Sequence, residues 1–285
     1  MRYCALNGEI LPEADAKVGI MDIGLLRGFG AYEAMAAQNG VIFRWEDHIT
    51  RFRKTAEFLG VPLPLNDKEI KQAIRNLIEK NDLAQSRANV KCILTGGTAI
   101  GGIEPDPRAP TFYIFTEEWQ PLAEAYYAKG AKVITHEHLR HYPQYKTTNY
   151  ITAARLQKEM RAAGALEILY TWQERALECA TSNFFIVKDD ALITAKDDVL
   201  HGVTRNVVLE LARENGIAAE ERAYTLAELH AADEAFLTSS FKDVVPVVVV
   251  DERAIGAGAV GETTKEVMRL FAEYFTLVCP RPELN

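Results

Sequence analysis

The sequence predicts a mixed α and β chain folded as two packed subdomains. A single hydrophobic core rarely grows beyond roughly 250–300 residues, and this chain has 285. Some segments alternate apolar and polar residues as strands do, while others carry apolar residues at the helical period. Several predicted strands follow one another directly, which a regular series of strand–helix–strand units would not allow. We therefore expect an α+β arrangement rather than a uniform parallel sheet.

Turn and capping residues mark the elements of the first half. Asn7-Gly8 and Asn39-Gly40 each join two strand-like segments, which predicts two β-hairpins. Gly60 follows the apolar stripe of a helix, where a left-handed C-cap belongs, and Asn66 with Glu69 resembles a capping box. The predicted strands are two within 3–11, then 31–37, 41–44, 90–95 and 111–116; the predicted helices are 46–59 and one from residue 66; 96–110 is a loop.

A break in composition near Trp119 and Pro121 marks the boundary between the subdomains. We predict a small N-terminal domain at 1–118, a linker at 119–126 and a larger domain at 127–285. The predicted strands of the larger domain are 131–136, 167–171, 176–179, 184–187, 235–238 and 244–250, and its predicted helices are 150–163, 202–216, one from residue 225, and 262–275.

Charge and composition exclude several classes of protein. The net charge is -8, whereas a nucleic-acid binder needs clustered Lys and Arg to neutralise phosphates. The longest apolar run, Val244 to Val250, is too short to cross a membrane. The first ten residues lack the apolar core of a secretory signal, and the cysteines are widely spaced without a C-x-x-C pair. We expect a cytoplasmic protein without nucleic-acid or membrane partners.

Lys146 is the first candidate for chemistry. It follows Pro143 and precedes the helix predicted to begin at Tyr150, so it lies at a junction between elements. A lysine on such a loop is most often a solvated charge, and a catalytic interpretation depends on the residues that accompany it.

Glu178 is the second candidate. If Leu177 and Cys179 face one side of their strand, Glu178 faces the other. It is either an exposed carboxylate at the edge of a sheet or a buried one with a cation opposite, because an unpaired buried charge is costly.

Two further segments could bind an anion. Gly202-Val203-Thr204-Arg205 opens a predicted helix, whose first N–H groups and dipole attract negative charge, although Thr204 could also be a simple N-cap. Thr238-Ser239-Ser240 places hydroxyls in a turn directly after a strand, where they bind phosphate or only shape the turn.

A histidine-rich segment and a glycine-rich one match no familiar site. His136 and His138 would share one face of a strand, but no third ligand follows at a known spacing, so we expect no metal site. Gly96-Gly97 and Gly101-Gly102 fit neither the dinucleotide nor the P-loop pattern, and we interpret them as part of a flexible loop.

Taken together, these segments resemble the class IV (fold type IV) pyridoxal-phosphate enzymes. That family includes D-amino-acid aminotransferases, branched-chain aminotransferases and aminodeoxychorismate lyases. The resemblance covers nearly the whole chain in order: residues 47–52 look like the H-x-x-R segment, Lys146 with Asn149-Tyr150 like the cofactor-binding lysine, Glu178 with Ser182-Asn183-Phe184 like the partner of the pyridine nitrogen, 202–205 like the phosphate cup, and 238–240 followed by 245–247 like a second phosphate turn.

The resemblance implies a fold, a cofactor and a set of residue roles. The fold would be a small N-terminal α/β domain and a larger β-barrel-like C-terminal domain with flanking helices, assembled as a homodimer. The cofactor would be pyridoxal 5'-phosphate (PLP), with Lys146 as its covalent attachment point and as the base that moves the proton. Its other ligands would be Arg51, Val203, Thr204 and Ser240 at the phosphate, Tyr150 at the phenolic oxygen and Glu178 at the ring nitrogen.

The substrate class depends on fewer residues. Branched-chain enzymes of the family usually carry [FY]-E-G-x-R, whereas residues 32–36 of this chain read Tyr-Glu-Ala-Met-Ala, closer to the D-amino-acid enzymes. The R-x-H pair with which those enzymes hold the substrate carboxylate is missing from 91–110, and Arg27 is the proposed substitute, with Tyr32 beside the substrate. We expect a D-amino-acid aminotransferase; the alternatives are an L-branched-chain aminotransferase, an aminodeoxychorismate lyase and a non-enzymatic relative.

Overall fold

The computed structural model describes residues 1–280, which form two compact units. The first unit comprises residues 1–120, 145–149 and 275–280, and the second comprises residues 121–144 and 150–274. The passage at residue 120 falls inside the predicted linker. Residues 145–149, which the sequence assigned to the larger domain, are part of the first unit because they pair with one of its strands. Residues 281–285 of the predicted larger domain lie outside the described residues.

The first unit is built on an antiparallel sheet with helices on one face. Its described strands follow the order β2-β1-β6-β5-β3-β4. Apolar residues of two helices and of the sheet form one core, which includes Met35, Phe52, Ile74, Val90 and Phe112. The elements are β1 (Tyr3–Leu6), β2 (Glu9–Pro12), α1 (Ile23–Arg27), β3 (Gly30–Gln38), β4 (Val41–Ile42), α2 (Trp45–Leu59), α3 (Asp67–Lys80), β5 (Arg87–Thr95) and β6 (Thr111–Glu118).

The ends of α2 and α3 confirm the capping residues predicted from the sequence. Gly60 caps α2 with φ of 65°, a left-handed conformation that glycine adopts without strain. Asn66 and Glu69 form a complete capping box at the start of α3. The strand predicted at 41–44 ends at Ile42, because Arg44 takes a left-handed conformation with φ of 48° and starts α2.

The second unit is built on a larger sheet that curls on itself. Within the described residues its strands follow the order β12-β11-β10-β13-β14-β7-β8-β9, with β15 paired to β14. Edge strand β9 also contacts β10, and a core that includes Leu169, Phe184 and Leu237 fills the sheet. The elements are α4 (Glu124–Lys129), β7 (Ala131–Glu137), α5 (Ile151–Arg155), α6 (Gln157–Ala162), β8 (Glu167–Trp172), β9 (Arg175–Cys179), β10 (Asn183–Lys188), β11 (Ala191–Thr194), α7 (Val203–Glu214), β12 (Ala218–Glu221), α8 (Leu226–His230), β13 (Glu234–Ser239), β14 (Asp243–Val250), β15 (Arg253–Ala254) and α9 (Glu262–Val278).

The mixed α and β fold predicted from the sequence is confirmed, with local differences. The helix predicted at 150–163 is two short helices that meet at Leu156. Five short elements were missing from the prediction (α1, α4, β11, β12 and β15), since each spans too few residues for a periodic pattern. No helix within residues 1–280 combines the length and the apolar character that a membrane span requires.

Candidate active site

Lys146 lies in an extended segment that pairs with β3 in the first unit. The amide of Tyr32 donates to the Lys146 carbonyl at 2.8 Å, and the amide of Thr148 donates to the Gly30 carbonyl at 2.9 Å. The half-buried Lys146 side chain places its Nζ 4.9 Å from the centroid of the Tyr32 ring. Lys146 is therefore held by main-chain pairing, and the structure brings it together with Tyr32, a predicted substrate residue.

Arg51 is anchored on a buried carboxylate from β3. Its Nε donates to Glu33 Oε2 at 3.0 Å and its Nη2 donates to Glu33 Oε1 at 2.6 Å, so the guanidinium is held by two hydrogen bonds. Burial alone would raise the pKa of Glu33, but Arg51 and His48 reverse this effect and hold it well below its usual value. The carboxylate is therefore ionised and fixes the orientation of Arg51.

His48 completes this buried cluster on α2. Its Nδ1 lies 3.0 Å from Glu33 Oε1, and both side chains are fully buried. Burial lowers the pKa of His48, although Glu33 opposes the change. Because an ionised carboxylate only accepts hydrogen bonds, the neutral His48 carries its proton on Nδ1 and donates it to Glu33.

Removing the charge of Glu33 should destabilise the first unit. We expect Glu33→Gln to lower the free energy of unfolding by about 3 kcal/mol, because it leaves the Arg51 guanidinium without its counter-charge. In the wild type, this stabilisation is present above the ordinary glutamate pKa of about 4.3 and is lost as the pH falls toward the lowered folded-state value. Urea unfolding at several pH values measures both effects.

A matched control is the Lys91–Glu117 ion pair of the same unit. Its Nζ–Oε2 distance is 2.6 Å, but the Glu117 side chain is 40% exposed. Glu117→Gln should change the free energy of unfolding by less than about 1 kcal/mol. Equal effects of the two substitutions would show that Glu33 contributes no more than a surface carboxylate.

In the second unit, Glu178 is buried against Arg140. Arg140 Nε and Nη2 both donate to Glu178 Oε1, at 2.8 and 2.5 Å, and Nη2 also donates to the Pro143 carbonyl at 2.7 Å. Burial would lower the pKa of Arg140, but the Glu178 carboxylate outweighs it and raises the pKa. The cation that a buried Glu178 requires is thus Arg140, a residue that the sequence analysis did not assign to the site.

Asn183 links Glu178 to the segment before α7. Its Nδ2 donates to the Leu200 carbonyl at 2.6 Å and lies 3.4 Å from Glu178 Oε2, which also accepts from the Leu200 amide at 3.1 Å. A Cβ atom at Gly202 would lie 2.1 Å from Asn183 Oδ1, so the close approach of this segment requires glycine. These contacts fix the start of α7 relative to the Glu178 carboxylate.

The N-terminus of α7 is left without a side-chain cap. Gly202 occupies the N-cap position, and no side chain within residues 1–280 caps the helix. The first amides of a helix have no acceptor inside it, so those of Val203 and Thr204 are directed out of the first turn. Arg205 is not part of this surface, because its buried Nη2 donates to Glu221 Oε2 at 3.0 Å and to the Ala195 carbonyl at 2.9 Å.

Hydroxyl groups lie at the end of β13. Thr238 is 2% exposed, and its Oγ1 has no hydrogen-bond partner within the described residues. Ser240, two residues later, is half-buried in the turn before β14. The amide of Lys242 donates to Ser239 Oγ at 3.2 Å and closes this turn, while Lys242 Nζ pairs with buried Glu167 at 2.7 Å. The turn is therefore fixed at both its backbone and a side chain.

Two other predicted residues are less engaged. Arg27 is exposed at the end of α1, and its Nη1 donates to the neighbouring Leu26 carbonyl at 2.9 Å. Tyr150 is half-buried at the N-cap of α5 and packs in a small cluster with Leu156 and Tyr170. Within residues 1–280, no three His, Cys, Asp or Glu side chains are grouped so that they could hold a metal ion.

The chain is similar to aminotransferases over almost its whole length. A family profile described as Amino-transferase class IV matches residues 30–250. A putative branched-chain-amino-acid aminotransferase of Methanocaldococcus jannaschii is 33% identical over 282 residues, covering 95% of this chain and 96% of that protein. A D-alanine aminotransferase of Bacillus licheniformis is 30% identical over 270 residues, covering 92% and 93%.

The fold is shared with a solved structure of the same kind. The branched-chain amino acid aminotransferase of T.th. complexed with N-(5'-phosphopyridoxyl)-L-glutamate superposes with a TM-score of 0.88 at 25% identity, covering 98% of this chain and 95% of that one. The family profile spans more than half of the chain, and class IV aminotransferases use PLP. The chain therefore belongs to the class IV aminotransferase family and is a transaminase that acts on amino acids and 2-oxo acids.

Proposed function

We propose that this aminotransferase uses PLP to move an amino group between a D-amino acid and a 2-oxo acid. The donors would be D-alanine or D-glutamate and the acceptors 2-oxoglutarate or pyruvate. The observation that supports the D-specific proposal lies on β3, where Tyr32, Ala34 and Ala36 share one face by strand alternation. Ala36 stands where the branched-chain pattern has its arginine, and it is 1% exposed. That face of β3 therefore lacks the cation typical of branched-chain enzymes.

The donor groups of the second unit fit the chemistry of PLP. The uncapped amides of Val203 and Thr204 are suited to a phosphate, which helix N-termini attract. The Thr238 hydroxyl, buried and without a partner in the described residues, is a further donor near Ser240. The carboxylate of Glu178 accepts two hydrogen bonds from Arg140, and such bonds favour its ionised form. An ionised carboxylate is what a protonated ring nitrogen requires as a partner.

The first unit supplies the amine and a phosphate ligand in this proposal. Two of the five N–H donors of Arg51 go to Glu33, which presets the plane of the guanidinium for a second anion. Lys146 is half-buried beside Tyr32 and on a fixed backbone. These features suit an amine that must return to the same position at each turnover.

The mechanism assigns each residue one task. Bound PLP supplies an electron sink for the charge that develops at the substrate α-carbon. Lys146 attaches the cofactor covalently, is displaced by the amino donor, and its free amine then removes the α-proton and delivers it to the C4' carbon. Glu178 keeps the ring nitrogen protonated, and Tyr150 binds the phenolic oxygen. Arg51, Ser240 and the amides of Val203 and Thr204 hold the phosphate.

Substrate binding is assigned to Arg27 and Tyr32. A guanidinium such as that of Arg27 binds a carboxylate through two parallel hydrogen bonds, and the exposed position of Arg27 leaves its side chain accessible to a small acid. Tyr32 is the aromatic ring nearest to the Lys146 amine on β3. We propose that these two residues orient the amino donor.

We also propose that the chain is a cytoplasmic homodimer. Ile20, Met21, Leu25 and Ile103 of the first unit are each at least half exposed, at 79%, 51%, 68% and 73%. The loop and α1 that carry them are joined by hydrogen bonds, including Ala99 amide to Met21 carbonyl at 3.2 Å. An apolar surface of this kind favours association with a second copy. All four cysteines are buried and unpaired, as suits a reducing compartment.

Steady-state assays of the holoenzyme with single donors test the substrate class. With 2-oxoglutarate as acceptor, we expect kcat/KM for D-alanine or for its homologue D-aminobutyrate to exceed that for L-leucine by at least about tenfold, which corresponds to about 1.4 kcal/mol of transition-state binding. D-glutamate is assayed with pyruvate. A clear preference for L-leucine would replace this proposal with the branched-chain alternative, which the Methanocaldococcus jannaschii relative favours.

A further inference from the structure

Thr55 joins Arg51 and Lys146 through a single hydroxyl group. It lies on α2 one turn after Arg51, and it is 1% exposed. Its Oγ1 donates to the Arg51 carbonyl at 3.1 Å and accepts from the Lys146 amide at 3.2 Å. Because the only proton of the hydroxyl goes to Arg51, its lone pairs are left to face the Lys146 N–H.

The Lys146 backbone is therefore held from two directions. Its carbonyl accepts from the Tyr32 amide on β3 at 2.8 Å, while its amide donates to Thr55 on α2. A second contact with α2 precedes it, since the Tyr145 ring stacks on Phe58 with centroids 3.9 Å apart and planes 9° from parallel. The position of Lys146 along α2 is thus set by Thr55 and supported by the aromatic stack.

We infer that Thr55 is a positioning residue that sets where the Lys146 amine stands relative to Arg51. The inference rests on the proposed roles of Lys146 and Arg51 in binding PLP. Thr55 touches neither the cofactor nor the substrate in this account; it acts through the backbone of Lys146. A hydroxyl in a helix that bonds back to the preceding turn adds little to helix stability, so its second bond, to Lys146, is the informative one.

Three substitutions separate positioning from simple stabilisation. Thr55→Val keeps the branched shape and removes the hydroxyl, Thr55→Ser restores the hydroxyl without the methyl group, and Thr55→Ala removes the hydroxyl without adding a methyl group beside Arg51. The matched control is Thr116→Val, because Thr116 is also buried in the first unit and its Oγ1 accepts from Asn81 Nδ2 at 2.8 Å, away from Lys146.

The first measurement is the rate at which apoprotein becomes covalently labelled by PLP at Lys146, trapped with borohydride and read by peptide mass spectrometry. We expect Thr55→Val to label about fivefold to tenfold more slowly than wild type, as the loss of about one neutral hydrogen bond predicts. Thr55→Ser should restore the rate, and Thr116→Val should label like wild type. In steady state, Thr55→Val should lower kcat and leave the KM for the amino donor unchanged.

The second measurement is hydrogen exchange over residues 145–149 in the folded protein. Exchange should be faster in Thr55→Val and unchanged in Thr116→Val, and Thr55→Ala takes the place of Thr55→Val if that variant does not fold. Labelling and exchange equal to those of Thr116→Val would overturn the inference while labelled wild-type Lys146 upholds the proposed function. A wild-type protein that takes up no label at Lys146 would overturn both.

Discussion

Lys146→Ala should abolish transamination. The substitution removes both the attachment point of the cofactor and the base that moves the α-proton, so we expect kcat to fall by at least about 10⁴-fold. The assay follows 2-oxo acid formation from D-alanine with saturating PLP, which distinguishes lost chemistry from weak binding. The effect should be the largest of any single substitution in the protein, because no other described residue of the first unit is proposed to touch the reacting carbon.

Lys54→Ala is the matched control for this experiment. Lys54 is an exposed lysine of α2 whose Nζ lies 5.9 Å from the Tyr145 ring, so it is close to Lys146 along the structure of the same unit. A surface substitution of this kind should change kcat/KM by no more than about twofold. Substantial transamination by Lys146→Ala would refute the assignment of Lys146, whatever the control shows.

Glu178→Gln should give the second largest effect. A neutral amide cannot hold the proton on the ring nitrogen, so we expect kcat to fall by about 10²-fold or more. The same change leaves Arg140, which donates to Glu178 Oε1 at 2.5 and 2.8 Å, without its counter-charge. The free energy of unfolding should therefore fall by about 3 kcal/mol. Steady-state kinetics of the holoenzyme and urea unfolding of the apoprotein measure the two losses separately.

The double variant Glu178→Gln/Arg140→Met separates the catalytic role of Glu178 from its structural one. Because both charges are gone, stability should recover toward the wild-type value. Activity should stay low, since nothing in the variant holds the ring proton. Recovery of kcat together with stability would show that Glu178 only balances the charge of Arg140.

Features determined by neighbours in the sequence were predictable. Gly60 and the Asn66–Glu69 pair gave the end of α2 and the start of α3, because capping depends on residues within one helical turn. The long strands were visible through their alternation, while short elements such as α1 and β15 were not. The order of weak motifs along the chain then predicted a fold and a family that the comparisons confirm.

Partners from distant elements could not be predicted. The sequence indicates that a buried Glu178 needs a cation, but the charge of Arg140, 38 positions earlier, is equally compatible with a solvated loop. Glu33 and Thr55 give no signal of their own, since their contacts with Arg51 and Lys146 depend on how α2 packs on β3 and on residues 145–149. The sequence likewise does not show that these five residues join the first unit.

The substrate depends on still finer differences. Relatives of nearly equal similarity are named as a branched-chain and as a D-alanine aminotransferase. One contact in a binding site changes specificity by about 1–3 kcal/mol, which a few side chains supply without any change of fold. The proposal for D-amino acids therefore depends on particular positions, chiefly Ala36 in place of an arginine and Arg27 as the carboxylate ligand.

The most direct test of the account is the location of the cofactor on the wild-type chain. Protein incubated with PLP, reduced with borohydride and digested should yield one labelled peptide, and fragmentation should place the label on Lys146. Lys54, Lys91 and Lys242 should remain unlabelled at stoichiometric PLP. Specific labelling of any other lysine, or no label on a protein that catalyses transamination, would contradict the account.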